Sequence, residues 1–329
     1  MAKINAKRLI EGSLAWDNHG CMPLRPNDTK FLPQLARYKK AGFDVVSLNA
    51  GFDAEPWTNT VAMLAHFRQW IKAHDDKYLL IDTVKDIGAA RRTGRLGIHF
   101  DIEGGSALDG RLSMVEFYYD LGVRWMLMAY NRNNLLGGGC QDEETGLTKF
   151  GRQVIDEMNR VGMVPCCSHT GYRTTMDVMN RSSKPVIFSH SNPQALWNHK
   201  RNIRDEAIRA CAKTGGVVGI NGIGIFLGPN DTRSETFARH IDYVVQLVGP
   251  DHAGLGLDYV FDQEELLGYQ RKNPHLFPQS EGYTLGPGLV PPEQLADITE
   301  CLIRKGYATR DIRKILGGNF MRVARESWK

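Results

Sequence analysis

The sequence predicts an α/β protein, a (β/α)8 barrel with a metal site at the C-terminal ends of its strands. Three observations carry that prediction. Short apolar runs alternate with amphipathic stretches from one end of the chain to the other, the pattern of βαβ units and a parallel sheet. Several runs are continuously hydrophobic, as strands covered on both faces are. Residues able to bind metal fall one after another at the ends of these runs, where parallel barrels place their chemistry. A doubly wound open sheet is the alternative architecture.

The runs are, in order, 13–19, 43–50, 78–83, 96–105, 123–131, 162–169, 184–190, 215–222 and 253–260. Nine is one too many for the barrel. The run at 78–83, "YLLIDT", is followed almost at once by another and is taken as the extra. Between the runs lie helices with their own signals. In 148–161, Thr148 can cap the start, Phe150, Val154, Met158 and Val161 form one stripe, and Gly162 stands at the stop. In 203–214, Ile203, Ala207, Ile208 and Cys211 share a face ahead of Gly215. Leu295, Ile298 and Leu302 do so after Pro291 and Pro292. Segment 263–290 reads as a long loop beyond the last strand. No linker or repeat interrupts the series, so residues 1–329 are expected to form a single domain.

Composition narrows the function. Of the 329 residues, 41 are basic and 37 acidic, a net charge of +4 too small to indicate nucleic acid. No apolar run approaches membrane-spanning length, and the first residues lack a signal-peptide pattern. The six cysteines, at 21, 140, 166, 167, 211 and 301, form no CxxC pair. A cytoplasmic protein with reduced thiols is expected. Adjacent Cys166 and Cys167 would point to opposite faces of a strand and pack there.

The candidate chemistry is His19 and Cys21, then Glu103 in "DIEGG", His169 in "CCSH", His190 in "FSHS" and Asp258 in "GLDY". Five strand ends offering imidazole, carboxylate or thiol suit zinc, and a carboxylate between two sites could bridge a pair of ions. Any one histidine at a strand end is more often a satisfied polar residue than a ligand. The other histidines read as inert: His66 and His74 in an amphipathic helix, His99 inside a strand, and His199, His240, His252 and His275 in polar surroundings. "GINGIGIFLG" lacks the GxGxxG spacing of a dinucleotide site, and no GxSxG elbow is present.

The first strand raises a question of its own. In "AWDNHGCMPL" (15–24), Asp17, His19 and Cys21 fall at every second position, so an ideal strand would turn all three to one face. Asp17 would then lie one layer deeper and orient the ligands above it.

The chain resembles the renal (membrane) dipeptidase family of zinc peptidases, in the amidohydrolase-like barrel group. The likeness runs nearly end to end through "GIHFDIEGG", "GVRWMLMAYNRNN", "LTKFGRQVIDEMNRVGM" with "SHTG", "KPVIFSHSNP", "KRNIRDEAI", "AKTGGVV" and "GGNFMRV". The resemblance implies a homodimeric barrel holding two zinc ions, with one as the alternative. His19 would hold the first ion, Glu103 would bridge, and His169 and His190 would hold the second. Asp258 matches the catalytic acid/base, and Arg201 the arginine that grips a substrate carboxylate. Two positions depart from the family pattern. The first motif, Asp-Gly-His-Asn-Asp in the family, reads Asp17-Asn18-His19-Gly20-Cys21, so Cys21 replaces a carboxylate ligand. Tyr130 replaces a histidine that polarises or orients the substrate.

These readings give three functional expectations. The first is a zinc-dependent hydrolase of dipeptides or dipeptide-like amides, a metal-activated hydroxide attacking the amide carbonyl. The catalytic groups would be Asp258, Glu103 and Tyr130, with Arg201 and Tyr130 binding the substrate. The second is a related enzyme moved by Cys21 and Tyr130 to another small amide, an N-acyl amino acid or a metabolite conjugate. The third is a barrel that has lost catalysis and only binds a small ligand.

Overall fold

Strand β4, Leu96–Glu103, is buried at all eight positions and anchors the sheet. The computed structural model describes residues 5–329. The other strands are β1 (Trp16–Cys21), β2 (Val45–Phe52), β3 (Tyr78–Leu80), β5 (Val123–Leu127), β6 (Val164–Cys166), β7 (Val218–Asn221), β8 (Ala253–Gly256) and β9 (Tyr259–Val260). Their spatial order is β6-β5-β4-β2-β1-β8-β7, and every pairing is parallel. This is an α/β fold on a parallel sheet with helices between its strands.

The surplus run is the one expected. β3 pairs with the first half of β4, Tyr78 with Leu96 through Leu80 with Ile98. β5 then takes the same edge from Phe100 onward. Segment 184–190 forms no ladder of its own but bonds to strands on both sides. Ile187 N donates to Pro165 O at 3.0 Å, and Cys167 N donates back to Ile187 O at 2.9 Å. On the other side Phe188 N donates to Val217 O at 3.0 Å and Gly219 N to Phe188 O at 2.7 Å. The segment therefore joins β6 to β7. Its close approach needs glycine, because a Cβ on Gly219 or Gly256 would stand 2.2 or 1.9 Å from Ser189 O.

Alternation along the strands divides the apolar side chains between two cores. Val46, Ile98, Phe100, Met126, Cys167, Phe188 and Val218 join the core beneath the flanking helices. Their neighbours Val45, Trp125, Leu127, Cys166, Ile187 and Val217 face the other way. There they meet Phe320, Val323 and Ala324 of the C-terminal helix Asn319–Ser327, which closes that side. Cys166 and Cys167 fall into different cores, as their adjacency predicts.

Helix boundaries follow local chemistry. Thr148 Oγ1 accepts from Gly151 N at 2.9 Å to start Lys149–Val161, and Gly162, with φ of 98°, ends it in the left-handed region. The stretch read as 203–214 is helical over Asp205–Lys213, with Asp205 and Glu206 in its first turn. Pro291 and Pro292 lead through a short turn into Leu295–Arg304. The expected loop 263–290 requires correction, since Gln263–Lys272 is a helix capped by Asp262, whose Oδ1 accepts from Glu265 N at 3.1 Å. Arg25 holds its start through Asp262 and Glu265, at 2.9 and 2.8 Å. Among the described residues, no helix is long and apolar enough to cross a membrane.

Two of the histidines read as polar-facing are buried instead. His199 is buried near the strand ends, and His240 sits inside helix Ser234–Val248 with Nε2 donating to Leu227 O at 3.0 Å. Burial pulls His240 down to about 4, so the folded state prefers its neutral form. Stability from this group is fully present above the ordinary histidine value near 6.5 and is lost as pH falls toward 4. Between pH 7 and pH 5 only the unfolded state takes up the proton, and the loss is about 2 kcal/mol, roughly 1.5 pH units below 6.5 at 1.36 kcal/mol each. Urea unfolding at both pH values should show it, and His240→Gln should reduce the pH 7-to-5 difference by about that amount, leaving the share of the other buried histidines.

Candidate metal centre

Three imidazoles and one carboxylate converge at the C-terminal ends of β1, β4 and the segments after β6 and at 184–190. The Nε2 atoms of His19, His169 and His190 lie 3.5, 3.5 and 3.3 Å from a single oxygen, Glu103 Oε1. That oxygen is buried and accepts no hydrogen bond. His169 and His190 face each other Nε2 to Nε2 at 2.9 Å, and the rings of His19 and His190 stack at 4.1 Å. On the far side of His19 Nε2 lie Cys21 Sγ at 3.4 Å and Asp258 Oδ1 at 3.5 Å. Cys21 Sγ and Asp258 Oδ1 are themselves 3.5 Å apart. All six predicted groups meet in one place.

Each imidazole is fixed through its other nitrogen. His19 Nδ1 stands 3.3 Å from Asp101, His169 Nδ1 2.7 Å from Asn131 Oδ1, and His190 Nδ1 2.8 Å from Ser189 Oγ. Asp101 is in turn held by Ser47 Oγ at 2.5 Å and Asn49 Nδ2 at 3.2 Å. Asn221 Nδ2 donates to Asp258 Oδ2 at 2.8 Å, leaving Oδ1 turned toward His19. These orienting residues were not singled out from the sequence. Asp101 was legible, because it sits two residues before Glu103 on the same strand face. Asn131, Ser189 and Asn221 gave no comparable signal.

Asp17 reaches no ligating side chain and touches His19 only at its backbone N, which its Oδ1 accepts at 3.5 Å. The register of β1 against β2 slips between Asp17 and Gly20, so strict alternation breaks there. Asp17 turns away to accept from Tyr38 OH and Leu257 N, both at 2.7 Å. Gly20 faces the same Tyr38 hydroxyl, while His19 and Cys21 point into the site. Asp101 fills the role expected of Asp17.

The electrostatics suit a cation. Burial pushes Glu103 up to about 8; His19 opposes the shift, while Asp258 and Asp101 reinforce it. Burial raises the Cys21 thiol, opposed by His19 and reinforced by Asp258. His169 and His190 are held well below the usual value by burial and by the neighbouring charges of Arg201 and His19. Burial would depress His19 as well, but Cys21, Glu103 and Asp101 outweigh it and raise it. Two neutral imidazoles, a third that holds a proton and a carboxyl that burial keeps from ionising form a donor set that a divalent ion would satisfy by displacing those protons. Two overlapping groups have the required spacing, His19 with Cys21 and Asp258, and His19 with Glu103 and His190.

Above this cluster opens a cleft that includes Tyr130, Arg201, Phe52, Tyr269, Phe277 and Tyr283 in its lining. Arg201 is 2% exposed, and its Nη2 makes one long contact to His190 O at 3.4 Å. Its Nε and Nη1 have no protein acceptor. Tyr130 stacks on His169 at 4.2 Å, and Asp53 Oδ2 fixes its backbone N at 2.9 Å. Burial, with Glu103 and Asp258 close by, keeps its phenol protonated far above neutral pH.

Removing the Asp101 carboxylate should weaken metal binding at this cluster by roughly 10- to 100-fold, the usual effect of losing a partner behind a histidine that faces a metal. Titration of Asp101→Ala against a competing chelator measures it, with circular dichroism as the control for folding.

The fold and much of the sequence recur in known proteins. A chain from Pseudomonas aeruginosa described as an amidohydrolase superimposes with a TM-score of 0.87 at 28% identity, covering 99% of both chains. A metallopeptidase from Rhodobacter sphaeroides, liganded with a phosphinate mimic of the dipeptide L-Ala-D-Ala, shares the fold. Its TM-score is 0.78 at 20% identity, over 96% of this chain and 100% of that one. An uncharacterized dipeptidase of Schizosaccharomyces pombe is 30% identical over 284 residues, 82% of this chain. The chain spans 62% of that relative's length. The family model for membrane dipeptidase matches residues 30–271, and the chain belongs to that family, peptidase family M19.

Proposed function

We propose that this protein is a zinc-dependent hydrolase of small amides that carry a free carboxylate, on a sheet closed as a (β/α)8 barrel. The observation that carries the reading is the convergence of three histidine Nε2 atoms on one unpaired oxygen of Glu103. Glu103 would bridge two ions, His169 and His190 would hold one, and His19 with Cys21 the other. When bound, the ions would supply Lewis acidity at the amide carbonyl and activate the attacking water. Asp258 Oδ1, free of Asn221, is placed to carry a proton to the leaving amine. Tyr130 offers a hydrogen-bond donor to the developing oxyanion. Arg201 has two buried donor atoms to spare for a planar carboxylate.

Asp258→Asn should abolish turnover and leave zinc bound, measured by steady-state assay and metal analysis of the same preparation. Full activity in that variant would sink the assignment. Cys21 is a separate matter, because burial keeps its thiol protonated unless a cation sits beside it. In the cobalt-substituted protein a thiolate-to-metal charge-transfer band should appear and vanish in Cys21→Ala. No band in the wild type would remove Cys21 from the ligand set.

A second substrate reading has its own support. Phe52, Tyr269, Phe277 and Tyr283 line the cleft in a chain of edge-to-face contacts 5.4 to 6.0 Å between ring centres. The nearby carboxylates are engaged, Glu55 by Asn59 at 3.1 Å and Glu265 by Arg25 at 2.8 Å. That wall suits an apolar acyl group better than a charged α-amine. A panel of L-L and L-D dipeptides beside N-acyl amino acids, run with excess zinc, separates the two. The L-D pairs belong in it because the metallopeptidase neighbour holds a mimic of L-Ala-D-Ala. Faster turnover of bulky N-acyl substrates than of every dipeptide selects the second reading, and the reverse selects the first.

A further inference from the structure

A second group of polar atoms lies in the sheet's interior next to the metal cluster, with Trp125 touching both, its ring centre 5.5 Å from that of His19 and 6.4 Å from that of His190. Trp16, Asn18, His99, Arg124, Trp125 and Trp328 line a small cavity among mostly buried residues, with Phe320 and Val323 of the C-terminal helix also in its lining. One nitrogen of each is buried and has no protein partner: the three indole Nε1 atoms, Asn18 Nδ2, His99 Nε2 and Arg124 Nε. Asn18 is 2% exposed, His99 1% and Arg124 3%. The side chains crowd together, with Trp16, His99 and Trp328 ring centres 5.3 to 5.8 Å apart and the Arg124 guanidinium 5.6 Å over Trp328.

Five of these six atoms can only donate; His99 Nε2 is the one candidate acceptor. Arg124 spends its Nη atoms on the carbonyls of Tyr119, Val123 and Asp82. Its nearest carboxylate, Asp82, is 3.7 Å away and half exposed, so no buried negative charge balances it. Five buried donors left without acceptors would cost a large share of a domain's stability. A water molecule accepts only two hydrogen bonds and must place two of its own, which this lining does not provide for. A monatomic anion accepts from every direction and also compensates the guanidinium. The cavity, about 10 Å³, has room for one small occupant.

We propose that this cavity is a binding site for one small monovalent anion, with chloride as the probe. The site shares no candidate ligand with the metal centre, although Trp125 packs against His19, and its test does not depend on the hydrolase reading. Melting of the zinc-loaded full chain is followed in sodium chloride and in sodium gluconate at equal ionic strength. The expected result is a chloride-specific rise of a few degrees that saturates with concentration. A bromide-grown crystal should give an anomalous peak among the three indoles. Trp328→Phe removes one donor far from the zinc ligands and should weaken the chloride midpoint at least threefold. Arg124→Met should abolish the response if it folds; Trp328→Phe serves as the deciding variant if it does not. Equal melting in the two salts, or a water without anomalous signal in the cavity, overturns the proposal. So does a chloride response unchanged in Trp328→Phe, because it would place the ion at the metal centre instead.

Discussion

The structure at the strand ends depends on one carboxylate oxygen that the protein itself never satisfies. Glu103 Oε1 is buried, accepts no hydrogen bond, and is faced by three imidazole nitrogens within 3.5 Å. A buried polar atom in that state is costly unless something else pairs with it. The surrounding residues show that the arrangement is built rather than accidental. Each histidine is pinned from behind by a different partner, Asp101, Asn131 or Ser189. Pinning fixes which nitrogen faces Glu103, and so fixes a donor set before any ion arrives. Asp101 extends the constraint into the sheet, since Ser47 and Asn49 of β2 hold it.

Delivering those groups requires the backbone to leave regular strand geometry. Asn131, His169 and Asp258 all adopt positive φ, 59°, 61° and 57°, a region uncommon for side chains other than asparagine, aspartate and histidine. All three are of the types that tolerate it, and their side chains bond at once to the site. His169 is held there by its bond to Asn131 and its stack on Tyr130. The slip in β1 is the same device in another form. It turns Asp17 out to brace Tyr38 and Leu257 while keeping His19 and Cys21 inward.

How much of this was legible in the sequence follows from range. Thr148 and Gly162 mark a helix because capping is decided within one turn of chain. The histidines and carboxylates at strand ends were legible because their chemistry is rare in apolar runs. The helix Gln263–Lys272 was missed although Glu264 and Glu265 open it and Arg271 and Lys272 close it. The Gly/Pro-rich chain that follows drew the whole segment toward a loop. Asp17 was misplaced because a one-residue slip leaves no mark in the sequence, yet it reverses the face of every residue on one side of it. The roles of Asn131 and Ser189 were invisible for a different reason, since they exist only once two distant strand ends are adjacent.

The exchange of a carboxylate for Cys21 is where these constraints meet. A carboxylate at that position would stand beside Asp258 and near Glu103, three acids around His19 in a buried site. A thiol stays neutral there when no cation is present, because burial raises it and Asp258 adds to the effect. The apo cluster therefore carries one negative charge fewer, and like-charge repulsion between its acids is reduced. A zinc ion would reverse that, since it draws the proton from sulfur and gains a soft ligand at short range. On the proposed function, the substitution would exchange a carboxylate ligand for a thiol that ionises only on binding. The same logic fits the aromatic wall above it. Tyr130 donates without ionising, and Phe52, Tyr269 and Phe277 add no charge, so Arg201 is left as the fixed positive anchor of the cleft. On the proposed function, a substrate would be held by its carboxylate at one end and by apolar contact at the other, with the reacting bond over Glu103 between them.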